Sequence, residues 1–135
     1  MCTNDKQSNI DALKREDIQK HLIGSGNSLT HFCHGIAKEC GWWETTTERD
    51  VPRLLMLIVS EVAEAMEGDR KNLMDDHLPE RKMLEVELAD AVICIFDMAG
   101  GLKLDVAGAI VDKLIYNTTR HDHKPEVRAD GGKAY

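Results

Sequence analysis

Two stretches of the chain place apolar side chains at three- and four-residue intervals, and a pair of carboxylates interrupts the same stripe in each. In PRLLMLIVSEVAEAMEG, Leu54, Leu57, Ile58, Glu61, Glu64 and Ala65 fall on one helical face. In PERKMLEVELADAVICIFDMAGG, Met83, Leu84, Glu87, Asp90, Ala91 and Cys94 do the same. Residues 54–59 and 88–96 are apolar nearly all round, so neither helix has a fully hydrated face for its acids. Carboxylates turned toward a core repel one another and lose hydration, at a cost that must be compensated. Either they take up protons or a cation sits between them.

The rest of the chain reads as helices of the same kind. Only 4% of residues are aromatic, so the core must come from Leu, Ile, Val, Ala and Met, a mix that favours helices over sheets. Residues 8–22 predict an amphipathic helix through Ile10, Leu13, Ile18 and Leu22, and GSGN at 24–27 predicts a loop. Asn27 or Ser28 then caps a second helix to about Cys40, which Gly41 ends, and 44–51 form a polar connection. Pro52 opens a third helix, 52–67, which Gly68 stops. After a loop at 68–78, Pro79 opens a fourth helix, 79–99, ended by Gly100 and Gly101. Asp105 caps a fifth, about 106–120. The expected fold is all-α: a four-helix-bundle core with an extra N-terminal helix. The expected division is 1–27 for the N-terminal helix and loop, 28–120 for the bundle and 121–135 for a polar C-terminal arm.

Composition restricts the partners. With 135 residues the chain has room for one core, and its formal charge of −7 gives no general attraction for nucleic acid or anionic membrane. The longest apolar stretch, 88–101, is broken by Asp90 and Asp97 and too short for a bilayer, and residues 1–24 lack the apolar core of a signal peptide. Cys2, Cys33, Cys40 and Cys94 show no paired spacing, which fits reduced thiols in a cytoplasmic protein. An acidic protein that binds an anion must neutralise it locally, and a divalent cation does so economically.

The donor set selects the ion. Oxygen ligands without nitrogen or sulfur suit Mg²⁺, with Mn²⁺ as a substitute. A di-iron bundle centre needs histidines three residues after two of its carboxylates, and none stands there. His31, Cys33, His34 and Cys40 match no zinc-ligand spacing. Asp97 and the run Asp75-Asp76-His77 read as surface or capping residues, and the methionines as core or interface filling.

The order Glu61-x-x-Glu64, spacer, Glu87-x-x-Asp90, followed by Lys113-x-x-x-Asn117 in DKLIYNTTR, resembles the MazG-like family of all-α nucleoside triphosphate pyrophosphohydrolases, relatives of dimeric dUTPases and dCTP pyrophosphatases. The resemblance covers residues 31–120, and the closing GGKAY is similar to the tails of small phage and bacterial members. It implies a Mg²⁺-dependent hydrolase that cleaves a (d)NTP to (d)NMP and pyrophosphate, with Glu61, Glu64, Glu87 and Asp90 as metal-binding and catalytic residues. It also implies that His34 and Trp42 or Trp43 contact the base, that Lys113 and Asn117 contact phosphate, and that the chain forms a homodimer or homotetramer. Arg120 joins the phosphate contacts by spacing, three residues after Asn117 on the predicted helix. Ser60 stands where many members carry a further Glu, and EGDRK lacks the tryptophan of some dCTP-directed relatives, so base preference stays open. The alternatives are a catalytically idle nucleotide-binding or regulatory bundle, and a structural helical oligomer whose acids are surface charges.

Overall fold

The predicted apolar stripes all fall in helices, though not always with the predicted bounds. The computed structural model describes residues 8–44 and 50–131, and in them the chain is all-α. The helices are α1 (Asn9–Leu13), α2 (Glu16–Glu39), α3 (Val51–Lys71), α4 (Met83–Leu102), α5 (Val106–Thr119) and α6 (Pro125–Ala129), with a 3₁₀ turn at His121–His123. Cys2, most of the polar connection (45–49) and the last four residues of GGKAY (132–135) lie outside the described residues. No described helix is long and apolar enough to cross a membrane.

The chain divides into two units, 28–104 and the remainder. In the remainder, Ser8 caps α1 by accepting from the Asp11 N–H at 3.1 Å. The predicted helix over 8–22 breaks at Lys14 and Arg15, and the predicted loop at 24–27 is absent, because α2 runs unbroken through GSGN. Helix propagation is cooperative, and apolar turns flank this stretch on both sides. The Ser25 hydroxyl donates to the His21 carbonyl one turn back at 3.0 Å, and Gly26 is the one buried residue of α2. Asp105 caps α5 as expected, accepting from the Gly108 N–H at 2.9 Å, and Ala107 and Val111 are the buried side of α5.

In the unit 28–104, α3 and α4 form an antiparallel pair around Ala65, Glu87, Ala91, Phe96 and Ala99. Small residues let the two backbones approach. A Cβ on Gly68 would lie 2.9 Å from the Met83 side chain, so Gly68 is a contact point rather than the stop predicted for it. α3 continues one turn further and ends at Asn72, left-handed at φ 50°. Pro79 does not open α4. Residues 73–82 form a tied connection in which buried Asp75 accepts from the His77 and Leu78 N–H groups at 3.0 and 2.6 Å. The Asp75 N–H itself donates to the Arg81 carbonyl at 2.9 Å, holding 79–82 out of the helix. Gly100 and Gly101 do not end α4 either; Lys103 does, in the left-handed region at φ 56°.

Candidate functional site

One stripe of α4 carries most of the site. Glu87, Asp90, Cys94, Asp97 and Gly101 recur at alternating steps of three and four residues, so they share one face of that helix. At its N-terminal end the stripe meets Glu61 and Glu64 of α3. Carboxylate oxygens of Glu61, Glu87 and Asp90 lie within 4.8 Å of one another, a grouping able to hold a metal ion. Glu64, expected as the fourth member, is not part of that grouping and acts on Glu87 through its charge.

Electrostatics set this cluster apart from a solvated face. Glu87 is only 8% exposed, and its carboxyl is pushed from 4.5 up to about 7. Burial is the first cause; the charge of Glu64, a hydrogen bond with Glu61, and the charges of Glu61 and Asp90 follow. Among the described residues no Lys, Arg or His forms an ion pair with Glu61, Glu64, Glu87 or Asp90. A hard divalent cation fits such a set, since it supplies the missing positive charge and takes oxygen ligands only. The same field reaches along α4. The Cys94 thiol is pushed up by burial first, then by Glu61, Asp90, Asp97 and Cys33.

Further along the stripe, Asp97 ties two rings together. Its Oδ1 accepts from Trp43 Nε1 at 2.8 Å and lies 2.9 Å from His34 Nδ1. The rings meet edge to face, centroids 4.8 Å apart at 84°. Asp97 is therefore no isolated surface acid, and sequence reasoning missed it. The signal was present in its spacing from Asp90 and Cys94 on an already suspicious face. His34 and Trp43 come together as base-contact candidates, while Trp42 stands 76% exposed. The sets His31, Cys33, His34 and Cys40 gather into no metal-binding group among the described residues.

On α5, Lys113 Nζ lies 4.7 Å from the centre of the Tyr116 ring, with Arg120 5.9 Å from the same ring. Arg120 does not continue the helical face on which Lys113 and Asn117 lie. α5 ends at Thr119, and Arg120 is extended with both arms of its fork on the Asp122 carboxylate, one of them at 2.9 Å. Asn117 Oδ1 is shielded from solvent and has no hydrogen-bond partner among the described residues. Val106, Ala109, Ile110, Lys113, Leu114 and Asn117 line a shallow apolar groove along this helix.

No protein-family model, curated protein or solved structure matches this chain.

Proposed function

We propose that this chain is a Mg²⁺-dependent nucleoside triphosphate pyrophosphohydrolase that cleaves a (d)NTP to (d)NMP and pyrophosphate. The observation that carries the proposal is the buried Glu87, raised to about 7 by its burial and by Glu64, Glu61 and Asp90, with no cationic ion-pair partner among the described residues. Such a cluster stores unfavourable charge that a cation relieves, and a phosphate chain is the natural ligand for a hard cation that keeps open positions. The resemblance of the two acidic motifs to MazG-like enzymes supports the same chemistry.

On this reading Glu61, Glu64, Glu87 and Asp90 hold Mg²⁺, which supplies charge neutralisation at the phosphates. A water oxygen forms the new bond to the α-phosphorus, and the bond to the bridging oxygen breaks as pyrophosphate leaves with its electron pair. A carboxylate of the quartet takes the proton of the attacking water. His34 and Trp43 take the base, and phosphate contact by Lys113 and Asn117 is carried over from the resemblance. A cytoplasmic location and a homodimer or homotetramer belong to the same proposal.

The test is pyrophosphate release from a panel of canonical and modified dNTPs with Mg²⁺, alongside Glu64→Ala and Asp90→Ala. The wild type should release pyrophosphate from at least one substrate, and each variant should lose activity while keeping its helical signal. Nucleotide binding without release would favour an idle or regulatory bundle. Hydrolysis that persists with all four acids replaced would end the proposal.

A further inference from the structure

The Asp97 carboxylate makes demands that its two ring partners must meet. Indole Nε1 is a donor only, so Asp97 Oδ1 acts as the acceptor at 2.8 Å. The same oxygen lies 2.9 Å from His34 Nδ1, a contact that is favourable only when Nδ1 carries a proton. A neutral imidazole holds one N–H, so the proton on Nδ1 leaves Nε2 as a bare acceptor. The side chains of His34 and Asp97 are 20% and 23% exposed, enough shielding to fix the ring and enough opening to meet a ligand.

The surrounding backbone is shaped for this arrangement. A Cβ on Gly100 would lie 2.5 Å from His34 Cβ, and one on Gly101 would lie 1.8 Å from Trp43 Cη2. Asp97, Gly100 and Gly101 are three and four residues apart on α4, so one turn supplies both the acceptor and the space for two rings. Asp97 follows Asp90 by two helical turns, which separates the two carboxylates by about 10 Å along the axis. That is the scale of a nucleoside measured from its base to its first phosphate.

We infer that Asp97 is a positioning residue: it holds His34 in the Nδ1–H tautomer and Trp43 edge-on, so that the corner presents the single acceptor Nε2 and selects a nucleobase whose edge donates an N–H. The ligand class rests on the proposed function above; the tautomer does not. A corner of this kind discriminates against a base whose edge N–H is blocked, because such a base leaves Nε2 desolvated and unpaired.

The experiment has two arms. In the first, ¹⁵N NMR of the histidine rings, with the His34 signals assigned through His34→Gln, is recorded with the ring neutral. His34 should carry its proton on Nδ1. Asp97→Ala should shift it to Nε2–H, the form free histidine prefers in water, and Asp97→Asn, which keeps an acceptor oxygen, should restore Nδ1–H. A wild-type His34 protonated on Nε2 overturns the inference, and this result is available even if Asp97→Ala fails to fold. In the second arm, the best substrate of the dNTP panel is compared with its analogue methylated at the Watson–Crick N–H (N3-methyl-dTTP or N4,N4-dimethyl-dCTP, for example). The wild type should show at least about a tenfold higher KM for the analogue. That discrimination should vanish in Asp97→Ala and return in Asp97→Asn, with Mg²⁺ binding unchanged throughout. Equal KM values for the pair in the wild type overturn the donor selection. The expected tautomers with no dNTP bound or hydrolysed support Asp97 as the positioning group and overturn the nucleobase as ligand.

Discussion

Gly101 of α4 lies against the Trp43 indole so closely that a Cβ on it would fall 1.8 Å from Cη2 and 2.2 Å from Cζ3. An indole is rigid and cannot yield by a rotamer change at its far end. Replacing a helix-interior glycine by alanine ordinarily gains about 1 kcal/mol. Here that gain is outweighed, since the ring must leave its seat and give up the hydrogen bond to Asp97. Gly101→Ala should destabilise the protein by about 1–3 kcal/mol and shift the Trp43 fluorescence toward that of an exposed indole. Unchanged melting and emission would mean that the ring does not sit there.

Gly24 provides the opposite case. It lies inside α2, and a Cβ on it would meet nothing within 4 Å. Gly24→Ala should stabilise by about 0.5–1 kcal/mol, read as a raised melting temperature with increased helical ellipticity. If residues 24–27 were a loop, the same change would leave ellipticity unaltered.

These glycines show what was legible in the sequence and what was not. Features written in neighbouring residues were readable: the Asp105 cap, Pro52 in the first turn of α3, and acids three apart on apolar stripes. Gly68, Gly100 and Gly101 read as helix stops, because a glycine after an apolar run ordinarily serves as one. Their actual work is to admit Met83, His34 and Trp43, and those contacts depend on which helix comes alongside. Asp97 read as an isolated acid for the same reason, its two partners being 63 and 54 residues away in sequence. The carboxylate cluster was legible because both halves announce themselves locally. The corner beside it was half legible, in His34 and Trp43 but not in the carboxylate that joins them.

Glu87 makes the metal-free protein sensitive to pH. Its folded-state value is raised from 4.5 to about 7, so between these limits the folded state holds a proton that the unfolded chain has lost. The stability contributed by this group is therefore fully present below about 4.5, is lost as pH rises through about 7, and levels off beyond, a loss on the order of 3 kcal/mol. On the proposed function, Mg²⁺ or Mn²⁺ would compete with that proton. Metal affinity measured by calorimetry should rise by about tenfold per pH unit up to about 7 and then flatten. Glu87→Gln should remove the pH slope from the metal-free melting curve and abolish the metal heat. A slope that survives in Glu87→Gln would assign it to another group.

Exposed apolar surface supports the proposed assembly of two or more copies of the chain. Leu55, Met56, Val59, Val62 and Met66 of α3 are between 46% and 66% exposed, a run too continuous for isolated surface residues. On α5, Ile110 and Leu114 are each 43% exposed in the groove beside Lys113. Sedimentation at micromolar protein should give a dimer or tetramer, and Val59→Glu with Val62→Glu should shift it toward monomer. A wild type that sediments as a monomer would remove the assembly from the proposed function.

Lys113, Asn117 and Arg120 separate under substitution in an order set by what already occupies each group. Among the described residues Lys113 meets only the Tyr116 ring face, which leaves its ammonium donors available to phosphate oxygens. Asn117 Oδ1 is shielded and has no hydrogen-bond partner among the described residues, so no bond at that oxygen fixes the amide. Arg120 differs: its fork is held by Asp122, and to bind phosphate it would have to exchange one anion for another. Lys113→Ala and Asn117→Ala should each lower kcat/KM by more than about tenfold, equivalent to about 1.4 kcal/mol of lost transition-state stabilisation. Arg120→Ala should cost less than either, and Asp122→Ala should restore none of the loss in the other two. Mg²⁺ binding without nucleotide should stay the same in all four variants, because none of these residues belongs to the carboxylate cluster. Wild-type kinetics in both Lys113→Ala and Asn117→Ala, with every dNTP tested, would make them ordinary surface groups of α5 and assign the phosphate contacts to other residues.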